Sequence, residues 1–292
     1  MKIKFKSILL VVLIATGIKA NGQIQVTYAL DTPTFTLAHQ NTDKYEVLDS
    51  TYLDLIYHFK YRMEEKDDSL SGDDLMELQI GRKYSAFFSK DLRELDVKNT
   101  ETLKTAMQFT PAPPTAVGFD LLFNHFTDSI LETNRIPYTS QVINYEEKIP
   151  NIEWKYELED TATVMGYHCH AARCSYSGRE WKVYYTPKIA LPYGPWKLNG
   201  LKALVLKAED AEGNFVFEAV GLSQKSKPII KYQWNRKMMK KKEWKNYEQS
   251  IYNNAGTFVR NTGARIIVMD NSEMGFHRLN EDWQQYYNPL EK

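Results

Sequence analysis

The sequence predicts a mainly β fold of the α+β kind: a curved, mostly antiparallel sheet with one or two packed helices. Three observations predict it. Aromatic residues make up 13% of the 292-residue chain, with 19 tyrosines among them, a composition that suits half-buried pleated surfaces. Strand-like runs follow one another across short turns rich in Gly, Asn and Ser, as hairpins do. The regular strand–helix alternation that builds a parallel sheet is missing, and no internal repeat replaces it.

The elements follow in chain order. Lys2, Lys4 and Lys6 precede an apolar run from Ile8 to Ile14 and the small residues before Ala20. This is the plan of a secretory signal peptide, residues 1–20, and the run is too short to span a bilayer. Removing its four lysines leaves 33 basic against 37 acidic residues, a formal charge of −4. That balance gives no reason to expect nucleic acid as a partner. Residues 21–50 are expected as an N-terminal extension opening with a strand in "QIQVTYAL". A single domain is expected over 51–292. It begins with the strand "YLDLIYHFKYRME", broken by "KDDSLSGDD", and continues with "LMELQIG" and "KYSAFFS" paired around Gly81-Arg82. "DLRELDVKNTETLKTAMQF" is expected as a helix with Asn99 or Thr100 as a cap. The rigid "TPAPP", residues 110–114, marks an insertion or loop near 100–135.

"NIEWKYELE" and "ATVMGYHCHAARCSY" are read as strands, and "SGRE" turns the chain into "WKVYYT". "KALVLKAED" and "FVFEAVGLS" form a further hairpin about "AEGN". The basic stretch "KYQWNRKMMKKKEWKNYEQSIYNN" is expected as a helix on the sheet, with Met239, Trp244, Tyr247 and Ile251 inward and its lysines in solvent. Contact of that basic face with anionic lipid is the alternative. "ARIIVMD" is the last strand expected.

Signals for chemistry are sparse. Phosphate-binding glycine loops and the G-x-S-x-G elbow are absent from the sequence. Asp120 and His125 in "FDLLFNHF" read as polar interruptions of an apolar surface, and the acidic runs read as solvated loops. His168, Cys169, His170 and Cys174 form the one cluster of metal-ligand types. On a strand His168 and His170 share a face while Cys169 takes the other, so His168 and His170 are the candidate ligands and need others from elsewhere. A noncatalytic protein without a cofactor is expected. Cys169 and Cys174 would stand roughly 16 Å apart on a straight strand. Export to an oxidising compartment favours a disulfide between them, which requires the chain to turn or bulge.

"LPYGPWKLNG", residues 191–200, is read as a structural corner with Trp196 as a packed anchor. In the functional alternative Tyr193 and Trp196 line a ligand or partner groove, offering large contact area with a polar handle.

Residues 166–210 resemble the signature region of the GLPGLI family, exported proteins of Bacteroidetes. Gly166, Tyr167, Cys169, Ala172 and Cys174 match its first strand, and Gly178-Arg179 its turn. Trp181, Tyr185 and Thr186 match the return strand, Gly194-Pro195-Trp196-Lys197 the next block, Gly200-Leu201 the start of the name motif, and Asp210 the end of the following strand. Upstream, Asp68, Ser85, Phe88 and Ser89 also fit, and the likeness covers about residues 52–260. Lys202 and Ala203 stand where the family carries proline and glycine, and Val205 where it has isoleucine, so this chain must either reach the turn with ordinary angles or turn less sharply. The resemblance implies a periplasmic or outer-membrane-associated protein. It also suggests a sheet similar to the half-barrel of lipoprotein carriers, with Trp181 and Trp196 near the rim of a concave cavity. Function is therefore expected to be noncatalytic binding of a lipophilic ligand, peptide or envelope protein. The alternatives are an accessory subunit of an outer-membrane assembly, in peripheral contact with the membrane, and a metal protein or enzyme centred on His168 and His170.

Overall fold

The computed structural model describes residues 25–28, 35–65, 71–106, 110–263, 265–270, 275–278 and 285–292. The expected signal peptide and Asp68 lie outside the described residues. In chain order the elements are β1 (Gln25–Tyr28), β2 (Tyr45–Arg62), β3 (Ser71–Gly81), β4 (Tyr84–Ser89), α1 (Lys90–Thr105), β5 (Phe119–Asn124), β6 (Ser129–Arg135) and β7 (Gln141–Lys148). There follow β8 (Lys155–Val164), β9 (Tyr167–Tyr176), β10 (Arg179–Thr186), β11 (Leu204–Asp210), β12 (Phe215–Ser223), β13 (Pro228–Tyr232) and β14 (Asn235–Met238). The chain ends with α2 (Lys241–Asn253), α3 (Ala255–Thr262), β15 (Arg265–Asp270) and β16 (Gly275–Arg278).

The protein is mainly β, with one large, curved, unclosed and mostly antiparallel sheet. Its order is β14-β7-β6-β5-β4-β3-β2-β12-β11-β10-β9-β8, with β13 paired to the first part of β2 and only β14–β7 parallel. A small second sheet has the order β1-β15-β16. The spine is β2, longer than expected because it starts at Tyr45, inside the stretch read as an extension. Along it Leu53, Leu55, Tyr57 and Phe59 take alternate positions and are all buried on one face. Phe59 sits opposite Phe217 in register and stacks on it at 4.1 Å. Tyr57 buries its ring and donates its hydroxyl to the Val205 carbonyl at 2.6 Å. β5 and β6 are interior strands, so the part of the stretch expected near 100–135 outside strand and helix is confined, among the described residues, to 106, 110–118 and the turn 125–128.

Local chemistry sets the turns and caps. The hairpins β8–β9 and β9–β10 turn at Met165-Gly166 (φ 51° and 78°) and Ser177-Gly178 (φ 51° and 74°), the paired positive φ of a two-residue turn that matches strand twist. The helix expected near residue 91 is α1, but its cap is Ser89, whose hydroxyl accepts from the Leu92 amide at 3.1 Å. Asn99 and Thr100, the expected caps, are buried within the helix instead. Asp96 ties α1 to β6 through Arg135 at 2.6 Å. On α2 Trp244 and Ile251 are buried against Ile143 and Tyr145 of β7, while Tyr247 stays exposed.

The expected disulfide is not formed: Cys169 and Cys174 are both free and buried. β9 pairs with β10 without a break from Tyr176↔Arg179 to His170↔Tyr185. No turn or bulge on that edge brings the thiols together, and an odd step of five residues sends them to opposite faces. Burial raises both thiol pKa values, that of Cys174 to about 12, which keeps them protonated and unreactive.

Candidate functional site: a cleft on the curved sheet

The loop between β10 and β11 organises the site. Gly194 is required there, because a Cβ would lie 2.3 Å from the Leu198 carbonyl oxygen. The Gly194 amide donates to Asn199 Oδ1 at 3.0 Å, and the Trp154 indole N–H donates to the Asn199 carbonyl at 3.1 Å. Trp196 takes φ 55°, a left-handed conformation costing about 1–3 kcal/mol for a bulky residue. That cost is offset by ring packing on Trp181 at 5.6 Å and Tyr176 at 5.4 Å. Lys202 and Ala203 take no positive φ.

This geometry sends Lys197 into the interior, where its side chain is completely buried. Its ammonium lies 2.6 Å from Glu132 on β6 and also pairs with Glu147 on β7 and with Glu291. β6 is seven places from β10 in the sheet order. At about 4.8 Å per strand a flat sheet would put them roughly 34 Å apart. Lys197 therefore spans the inside of a curled sheet and braces its two limbs. Lys241, from α2, joins Glu147 at 2.7 Å and Glu291 at 2.8 Å. Burial alone would discharge Lys197, but Glu132, Glu291 and Glu147 outweigh it and raise its pKa. Burial likewise opposes ionisation of Glu291, and Lys197 and Lys245 overcome it, bringing that carboxyl to about 2. These three glutamates are the only metal-like grouping among the described residues. The Lys197 ammonium already fills its centre.

Beside the brace lies a cleft of about 240 Å³. Phe59, Phe119, Trp196 and Phe215 form its sheet side, α2 contributes Trp244 and Tyr252, and residues 285–291 cross it with Tyr286 and Tyr287. Arg62, Lys245 and Glu248 stand at its polar margin. The Tyr287 hydroxyl donates to Glu248 at 2.8 Å, and burial pushes the Glu248 carboxyl up.

The segment 285–292 is held by a second buried cation. Arg179 opens β10, stacks over Phe215 at 4.5 Å and donates to Asp210 at 3.1 Å. Its remaining N–H groups reach the Pro289 carbonyl at 2.8 Å, Asn288 Oδ1 at 2.6 Å and the Leu290 carbonyl at 3.3 Å. Next to it the Lys292 amide donates to the Ser177 carbonyl at 3.0 Å. A Cβ at Gly178 would stand 2.7 Å from that of Lys292.

Of the sequence-predicted contact residues, only Trp196 lines the cleft. Trp181 is a core residue, donating its indole N–H to the Tyr176 carbonyl at 3.3 Å. Tyr193 is half-buried elsewhere, 3.4 Å from His125 Nε2, which Ser85 Oγ also approaches at 3.1 Å. Ser85 itself is buried, so this pair offers a substrate no approach. His168 and His170 have ring centroids 4.9 Å apart, and His170 Nδ1 donates to the Leu158 carbonyl at 2.9 Å. Among the described residues no third ligand-type side chain joins them. Sequence reasoning missed the central roles of Lys197 and Arg179. A lysine inside the apolar "GPWKL" was the available signal, but its partners lie 50 to 94 residues away.

Neither a protein-family model nor a curated protein matches the sequence. Two solved structures of PNGF-II, in the P21 and C2 space groups, are similar to 68% of this chain at 15% identity, each with a TM-score of 0.44. The chain spans about a third of their length, 33% and 32% respectively.

Proposed function

We propose that this chain is a noncatalytic cell-envelope protein that holds an apolar ligand in the cleft on its curved sheet. The carrying observation is the aromatic lining of a half-open space next to a fully paired charge cluster. Ligand sites combine such an apolar wall with a few placed polar groups. The 240 Å³ volume is just below the roughly 300 Å³ at which ligand sites begin, which suits one acyl or aryl group rather than a large molecule. Buried thiols, a buried serine beside His125 and a metal-like cluster centred on a lysine all favour binding over catalysis. The envelope location rests on the signal-peptide pattern and on the resemblance to the GLPGLI family.

Titration with an environment-sensitive fluorescent acyl probe tests the reading. Ala116 lines the cleft from the loop before β5 and is only partly buried, so Ala116→Trp fills the space without removing core contacts. Saturable one-to-one binding, weakened at least tenfold by Ala116→Trp, is expected. Equal binding by both proteins contradicts the cleft as the site.

A further inference from the structure

Residues 285–292, "QYYNPLEK", lie in no strand or helix and are bound much as a short peptide is bound by a receptor. Two main-chain hydrogen bonds tie the segment to the body, Gln285 N–H to the Tyr252 carbonyl and Lys292 N–H to the Ser177 carbonyl, each 3.0 Å. The remaining recognition is by side chains. The Arg179 guanidinium reads two consecutive carbonyls and the Asn288 amide, and Asn288 Nδ2 in turn donates to the Arg62 carbonyl at 3.0 Å. Leu290 packs against the main core cluster. Glu291 enters the ammonium pair of Lys197 and Lys241.

We propose that the groove bearing Arg179, Lys197 and Lys241 is a specific binding site for a short carboxylate-bearing peptide of the pattern Asn-Pro-Leu-Glu, filled in cis by residues 288–291 and able to take the same pattern from another chain. Recognition is divided by chemistry. A planar guanidinium satisfies a pair of carbonyls, an apolar recess takes the leucine, and paired ammonium groups demand a carboxylate one residue later. Arg179 and Lys197 are separated by 18 positions of sequence, yet both are buried and both point at one four-residue stretch. Fixed cations of this kind give a site for one ligand pattern rather than a general apolar surface. In the free chain the resident segment competes at high effective concentration, so a peptide from outside binds well only when the resident copy is weakened. This site does not depend on the neighbouring cleft holding an apolar ligand.

The test uses the full chain and a fluorescein-labelled peptide of sequence QYYNPLEK. In a chain carrying Leu290→Ala and Glu291→Gln the labelled peptide is expected to bind at least tenfold more tightly than to wild type. An altered peptide, QYYNPAQK, is expected to lose that gain. Thermal melting confirms that the variant is folded. If the double variant does not fold, Glu291→Gln alone, which keeps Leu290 in the core, gives the same comparison. A folded variant that binds the peptide no better than wild type, or binds both peptides equally, overturns the proposal.

Discussion

Lys197 is the residue on which most of the site depends. A buried ammonium facing Glu132, Glu147 and Glu291 is tolerated because each charge is compensated, and removing one member leaves the others uncompensated. Lys197→Met is therefore expected to cost about 3–5 kcal/mol, read from the urea midpoint. Loss of less than about 1 kcal/mol would mean that the carboxylates are solvated. Glu291 gives the matching pH dependence. Its carboxyl ionises at about 2 in the folded protein against an ordinary value of 4.5. Its contribution to stability is thus fully present above pH 4.5 and is lost as the pH falls from there through about 2. Wild type should lose stability across that window more steeply than Glu291→Gln, and parallel urea midpoints in the two proteins would contradict this. Little of it was legible in the sequence. The motif containing Lys197 stood out, but a side chain's partners across a curled sheet leave no mark on local spacing. Tyr193, two residues before Pro195, looked as well placed as Trp196 but lies beside His125, while Trp196 lines the cleft from a left-handed backbone.

At the scale of elements the reading was closest where periodicity and turn chemistry agree. The run from Arg179 to Phe215 could be placed from alternating residues and from the glycines in the turns. It failed where a residue type has two uses. Asn99 and Thr100 resemble caps, yet the chain needs their polar groups inside the helix, where Asn99 Nδ2 donates to the Thr110 carbonyl at 2.8 Å. The cap lies ten residues before Asn99, at Ser89. Ser89→Ala should cost about 1 kcal/mol, measurable as a lower thermal midpoint, with little effect expected from the same exchange at exposed Thr105. The cysteines failed differently: compartment chemistry argued for a bridge, and strand geometry excludes it. Unfolded without reductant, the chain should take up two maleimide groups, and the native protein should react slowly. A mass showing no adduct would restore the disulfide.

Across the whole molecule, the fold class was readable because aromatic content, hairpin signals and missing α/β alternation point the same way. The curvature and the residues that stabilise it were not, since they depend on contacts between β10, β6, β7 and the segment 285–292. That closure sets the cleft between sheet, α2 and the final segment, and no helix among the described residues is long and apolar enough to cross a membrane. The central claim is that this space is a ligand site. Native mass spectrometry of wild type and Ala116→Trp, each purified gently from the native cells, tests it most directly. The account predicts an apolar small molecule at near one-to-one stoichiometry on wild type and a bare variant. The same adduct on both proteins, or none on either, would contradict it.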